Sequence, residues 1–254
     1  LSLRRQRQMC IRDRADRKQM LQDALMAQRK MLIDATGKRG EDIPQAFTPY
    51  KEVLDVYDEG LELPDDVTII WPDDNYGYMK RLSSPKEQKR SGRSGVYYHS
   101  SYLGKPHDHL WMNTTSPTLM YEELRKAYDM TADRIWLLNA GDIKSCEFAV
   151  DFFLSMAYDI DSFNFDRAAT YRTEWLCGML GDEYRNEYQD VINSFYKLAF
   201  ARRPEFMGWG YQWATDKHGR ERNTDTDFSL TNYREVDSRL SEYRRIGSIT
   251  EKIL

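Results

Sequence analysis

Apolar positions recur along this chain first at helical spacing and then at strand spacing. Met20, Leu21, Ala24, Leu25, Ala27, Met31 and Leu32 predict an amphipathic helix over residues 16–35, and "TGKRG" supplies the glycine expected past its end. "IPQAF" reads as a short strand, and "PYKEVLDVYDEGL" as a helix that starts at Pro49 and stops at Gly60. "VTIIW", from Val67, changes the period: β-branched residues with apolar neighbours on both parities make a strand buried on both faces.

"SSPKEQKRSGRSG" then reads as a charged surface connection, "VYYHSS" as a strand from Val96 to about Ser100, and "LWMN" as a shorter strand from about Leu110 to Asn113. The Ser, Thr and Pro of "TTSP" suit the start of a helix over residues 118–130. "DRIWLLNAGD" is the clearest strand of the chain, and "SCEFAVDFFLSMAYD" is the helix after it. Strand alternating with helix from about Ile43 to Tyr158 predicts parallel strands covered by helices, an α/β fold. Beyond Ser162 the alternation stops. "FDRAATYRTEWLCGMLGD", "EYRNEYQDVINSFYKLAFARRPE" and "LTNYREVDSRLSEYRRIGSITEKIL" all read as helices, with the turn "MGWGYQW" between the last two. The predicted organisation is therefore a barrel-like α/β part over residues 15–160 and an all-helical domain over 161–254.

Residues 1–14 stand apart. "RRQRQMCIRDR" has no hydrophobic periodicity joining it to the helix beyond, and it resembles a translated sequencing-adapter read-through, so it is set aside as a non-native or disordered segment. The resulting expectation is a truncated gene with its preceding part missing. The opening residues also lack the apolar core of a secretory signal.

Composition narrows the chemistry. No apolar run approaches the roughly 20 residues of a membrane span, so no membrane association is expected. A net charge of −4 gives no basic footprint for a polyanion, which argues against nucleic acid as a partner. Cys10, Cys146 and Cys177 are scattered, with no CxxC pair, and indicate free thiols rather than a zinc site or a disulfide framework. No cofactor is expected, because the chain has no Gly-rich phosphate loop, no GxSxG turn and no HExxH. The aromatic fraction, 13%, favours a carbohydrate ligand, since flat rings stack on the apolar faces of sugars.

If the strands are parallel, their C-terminal ends surface on one face, where barrels and open α/β sheets place their sites. The strand "VTIIW" runs into Asp73, Asp74, Asn75 and Tyr76. The next carries Tyr98 and His99; the third ends at Asn113 and follows His107, Asp108 and His109; the last leads to Asn139, Asp142, Lys144 and Glu147. For "PDDN" alone, local turn chemistry outweighs catalysis. Four polar strand ends together point to a site. A carboxylate pair drawn from Asp73, Asp74, Asp108 and Glu147 suits hydrolysis of a glycosidic bond, one acid protonated beside the leaving oxygen and the other ionised to activate water. The alternative is a metal-dependent hydrolase using His107 and His109, two residues apart in an extended segment and so pointing the same way. A non-catalytic carbohydrate-binding fragment is the third reading. Lys144 and the arginines of "KRSGRSG" are candidates to hold an anionic substrate group.

The strings "WPDDNYGY", "GVYYH", "KPHD" and "NAGDIK", in a stretch from Tyr50 to Asp159, strongly resemble the catalytic region of glycoside hydrolase family 115, the xylan α-glucuronidases. The resemblance implies removal of glucuronic acid or its 4-O-methyl ether from glucuronoxylan with inversion. It also implies carboxylates at the mouth of a (β/α)8 barrel followed by a helix bundle, within a larger, often dimeric protein that is secreted or periplasmic. On the matching motifs the acid and base candidates are Glu147, following "GDIK", Asp108, and Asp73 or Asp74; among them Glu147 is expected as the acid and Asp74 or Asp108 as the base. Asn75, Tyr76, Tyr98, His99, His107, Asn113, Asn139, Asp142 and Lys144 would then bind the sugar, without a metal. Here "GDIKSCE" has Ser145 where the family's usual string has proline. Only four firm strands and one short one are legible where such a barrel has eight, so a partial barrel is expected.

Overall fold

The computed structural model describes residues 2–104, 108–110, 112–206 and 235–253, with side chains from residue 17 onward. Four strands, β1 (Ala46–Phe47), β2 (Thr68–Pro72), β3 (Ser94–His99) and β4 (Ala132–Asn139), form one sheet in the order β1-β2-β3-β4. β1 pairs parallel with β2, Ala46 opposite Thr68. β2 pairs parallel with β3, Ile69 opposite Ser94 and Pro72 opposite Tyr97. Helices α1 (Ser2–Thr36), α2 (Glu52–Asp58), α3 (Pro117–Asp129) and α4 (Glu147–Tyr158) intervene or flank, and α5 (Phe165–Leu180), α6 (Arg185–Ala201) and α7 (Glu235–Ile253) follow. This is the α/β organisation with a helical C-terminal part that the hydrophobic pattern predicts, and it agrees with the partial barrel that the resemblance implies.

By contacts the chain divides into two compact units. The first takes residues 1–72, 79–97 and 127–137. In it every residue of β2 is buried, as the double-sided apolar pattern of "VTIIW" requires. Gly95 has a local reason: a Cβ there would overlap the carbonyl oxygen of Ile135 on β4, so only glycine lets the two strands approach this closely. Leu21 and Leu25 of α1 pack on Phe47, Leu61 and Val67, and Arg29 makes a two-pronged ion pair with Asp66 at 2.8 and 2.9 Å. The helix expected over 16–35 extends back to Ser2. Conversely α2 starts at Glu52 rather than at Pro49, because Lys51 before it takes the left-handed backbone (φ 51°).

The stretch read as a surface connection is partly interior. Ser83 and Ser94 are buried and bonded to each other at 3.0 Å, and Ser83 accepts the indole N–H of Trp71 at 2.9 Å. Arg90 donates to the carbonyls of Leu63, Pro64 and Val67, and Arg93 pairs with Asp133. Both arginines of "KRSGRSG" thus serve the sheet, which corrects their assignment to an anionic ligand.

The second unit takes residues 73–78, 98–126 and 138–254. Its helical core gathers Cys177 of α5 with Tyr188, Ile192 and Tyr196 of α6. Asn164 caps α5, its side chain accepting the N–H of Arg167 at 2.8 Å. Arg239 of α7 donates to the carbonyls of Leu198 and Arg202 at the end of α6, both at 3.0 Å; the Leu198 carbonyl also accepts the Arg202 N–H at 3.1 Å, and Arg202 lies just past the helix. The described residues of "LWMN" do not form the predicted strand. Asn113 has a left-handed backbone (φ 50°), and the Leu110 carbonyl accepts from Cys146 Sγ at 3.4 Å instead of from a neighbouring strand. Among the described residues of this region the extended pairing is one antiparallel bridge, Tyr102 with His109. Trp111, His107 and the turn "MGWGYQW" lie outside the described residues.

Candidate functional site at the strand ends

The segment after β2 explains why a buried strand runs into two carboxylates. Asp73 accepts the N–H of Asn75 at 3.0 Å on Oδ1 and the N–H of Gly77 at 3.0 Å on Oδ2. Asp74 takes the alternate donors on its Oδ1, the N–H of Tyr76 at 3.0 Å and of Tyr78 at 3.2 Å. Two neighbouring side chains therefore satisfy four backbone donors of one loop, a stronger version of the local bonding by which Asp favours turns. Asn75 (φ 73°) and Gly77 (φ 96°) take left-handed backbone on either side of Tyr76. A Cβ on Gly77 would sit 2.6 Å from the Tyr98 hydroxyl.

Asp73 carries two further bonds. His99 Nδ1 lies 2.5 Å from Oδ1 and the His99 backbone N–H 3.2 Å from Oδ2; the two side chains are 0% and 1% exposed. A carboxylate accepting four hydrogen bonds away from solvent is committed to holding the loop and the histidine. This placement argues against the proposed reactive role for Asp73. Tyr98 and His99 also lie beneath the surface. The Tyr98 hydroxyl donates to the Gly77 carbonyl at 3.0 Å, its ring stacks on Phe153 of α4, and burial, reinforced by Asp73, pushes the phenol well above its usual pKa. So enclosed, Tyr98 and His99 support the loop, which argues against their expected direct contact with a ligand.

His109 joins the same cluster. Its Nε2 donates to the Asn75 carbonyl, which can only accept, so the proton sits on Nε2. Burial pushes its pKa down to about 4, aided by the charge of Arg203 and opposed by the bond to Asn75, so the ring is neutral at pH 7. The Tyr76 ring lies 5.1 Å from the His109 ring and 6.4 Å from Tyr102, between centroids. Among the described residues no three His, Cys, Asp or Glu side chains converge as metal ligands. The histidine of the metal reading that is described, His109, is turned onto a backbone carbonyl.

The other expected residues are spread along the rim. Asp108 is exposed and accepts the Gly104 N–H. The Asn113 amide donates to the Ser145 carbonyl, tying its loop to the residues just before α4. The Asn139 carbonyl accepts the N–H groups of Ser100 and Ser101 at 3.1 and 3.2 Å. Asp142 and Lys144 are exposed, and Glu147, the first residue of α4, is half-buried. Asp74, Asp108, Asp142 and Glu147 are thus the acids among the expected residues that keep solvent exposure.

One contributor was not foreseen. Arg203, just after α6, donates to the Tyr76 carbonyl at 2.6 Å and to the hydroxyls of Thr114 and Thr115 at 3.3 and 3.2 Å, with its guanidinium 5.5 Å from the centre of the Tyr76 ring. Thr114 is held in turn by Glu205 at 2.7 Å. The contact to Tyr76 spans 127 positions of sequence, and "ARRPE" by itself looks like an ordinary helix end.

None of the curated protein sequences compared with the chain is significantly similar. Among solved structures, one titled "A novel family GH115 4-O-Methyl-alpha-glucuronidase, BtGH115A, with specificity for decorated arabinogalactans" matches with a TM-score of 0.84 and 37% identity. The match takes in 94% of this chain and 31% of that one, so the chain spans about a third of that protein's length. The model of glycosyl hydrolase family 115 matches residues 2–206, a range that holds every rim residue described above. With that match over most of its length, the chain belongs to glycosyl hydrolase family 115.

Proposed function

We propose that this chain carries part or all of the site of an α-glucuronidase that releases glucuronic acid or 4-O-methylglucuronic acid from a decorated polysaccharide. The reading rests on the family match, which takes in Asp74, Asp108 and Glu147 together. In the proposed mechanism Glu147 protonates the leaving oxygen and Asp74 or Asp108 activates a water on the opposite face of the sugar, inverting the anomeric centre. Lys144, exposed and three positions before Glu147 in the chain, supplies a cation for the uronate carboxylate. Asn75, Tyr76, Asn113, Asn139 and Asp142 form the polar rim for sugar hydroxyls. Asp73, His99 and Tyr98 hold the loop that carries Tyr76.

Glucuronoxylan is the first substrate to test. The similar structure's title names decorated arabinogalactans for that protein, which makes a glucuronate-capped arabinogalactan the second. The chain is incubated with each polymer and released uronic acid is quantified by chromatography, with the anomer of the first-formed product read by proton NMR. The expected result is release from at least one polymer as the inverted anomer, insensitive to chelator. Glu147→Gln should reduce the rate by about 10²–10⁴-fold, the usual contribution of a general acid. Unchanged release by that variant would falsify the acid assignment. Absence of release from both polymers overturns the activity for this chain, and chelator-sensitive release favours the metal alternative.

A further inference from the structure

Three consecutive carbonyls of the loop after β2 are each tied to a different part of the second unit. Asn75 accepts from His109, Tyr76 from Arg203 and Gly77 from Tyr98. The loop's N–H groups are satisfied from within by Asp73 and Asp74, and these three bonds act together with the two between Asp73 and His99 in fixing where the loop stands. Arg203 differs from the other two donors. It carries a permanent charge, it comes from the segment following α6, and it also meets the Tyr76 ring and the hydroxyls of Thr114 and Thr115, two residues immediately beyond Asn113.

We propose that Arg203 is a positioning residue for the sugar site, a planar fork that locks the Tyr76 ring and the Asn113–Thr115 loop into one arrangement. This rests on the α-glucuronidase reading for the role of Tyr76, but the locking itself is a property of the fold. The chemistry suits arginine. One guanidinium reaches a carbonyl and two hydroxyls in fixed directions while lying against an aromatic ring, and lysine offers a point charge with no such plane. Glu205, two residues on, secures Thr114 and so braces the same contact from the other side.

The test compares Arg203→Lys, Arg203→Ala and Thr115→Val with the unmodified chain, each checked for an unchanged thermal midpoint. Two readouts are taken. The first is steady-state kinetics on the polymer that is turned over: a displaced sugar platform should lower kcat/KM by about a hundredfold in Arg203→Lys, the scale of a misplacement near 1 Å. Thr115→Val, which removes one of the fork's acceptors, should lose less. The second readout needs no turnover: the His109 ring is titrated by NMR. Among the described residues, the charged and titratable groups facing that ring include Arg203, His99 and Asp74, with the phenols of Tyr76 and Tyr102 against it. Removing the guanidinium takes away a positive charge, so the His109 midpoint should rise in Arg203→Ala and stay near its original value in Arg203→Lys. If the parent chain releases no uronic acid, the α-glucuronidase reading fails while the titration still tests whether the Arg203 charge stands against the loop at His109, as the positioning role requires. A His109 midpoint unmoved in Arg203→Ala, or Arg203→Lys kinetics within twofold of the parent, overturns the proposal.

Discussion

His99 Nδ1 stands 2.5 Å from Asp73 Oδ1 with both side chains closed to water. A carboxylate in that position accepts from four donors on two segments of the chain, so its replacement by an amide sets an N–H₂ group against groups that themselves donate. Asp73→Asn should therefore destabilise the fold by about 3 kcal/mol, the scale for breaking a buried, hydrogen-bonded pair from one side. Urea denaturation measures it. A loss under about 1 kcal/mol would show that Asp73 is not the tie described here.

Tyr98 separates a supporting role from a ligand-binding one. Its hydroxyl is spent on the Gly77 carbonyl beneath the surface. Tyr98→Phe should cost about 1–2 kcal/mol of stability by leaving that carbonyl without a donor. Affinity for uronic acid oligosaccharides, read by calorimetry, should change little. Unchanged stability with a large loss of affinity would restore the sugar-contact role.

Acid should loosen the first unit through Glu87. Burial raises its carboxyl pKa, but hydrogen bonds from Arg81, the Ser84 backbone and hydroxyl, and Tyr57 outweigh it and hold the pKa down to about 2, against 4.5 ordinarily. A depressed folded-state pKa stabilises at pH above the unfolded value and loses that contribution as pH falls towards the folded one. The stability difference between the parent and Glu87→Gln should therefore be full above pH 4.5 and shrink on acidification towards pH 2. Equal acid sensitivity of the two proteins contradicts this linkage.

Legibility in the sequence followed the range of the interactions. β2 announced itself because five residues buried on both faces must all be apolar or small, and α3 to α6 because their periodicity is local. "LWMN" has a strand's composition, yet a left-handed Asn113 and the side chain of Cys146 decide its backbone, and neither is visible in a four-residue pattern. The rim residues of Asp73 to Tyr76 were found by following strand ends, but their roles were blurred. Asp73 and Asp74 look alike in sequence, and only the position of His99 shows which is enclosed. Arg203 was beyond reach, since its importance lies in a contact that folding makes across 127 positions.

The crowding at Gly95 carries a consequence for how this sheet can diverge. With a carbonyl of β4 occupying the space where any other side chain would begin, the position is closed to every alternative unless the two strands part. Drift in β3 must then be absorbed by its neighbours. A strand pair spaced by a missing atom can change its surface and its loops, but it cannot change its spacing one substitution at a time.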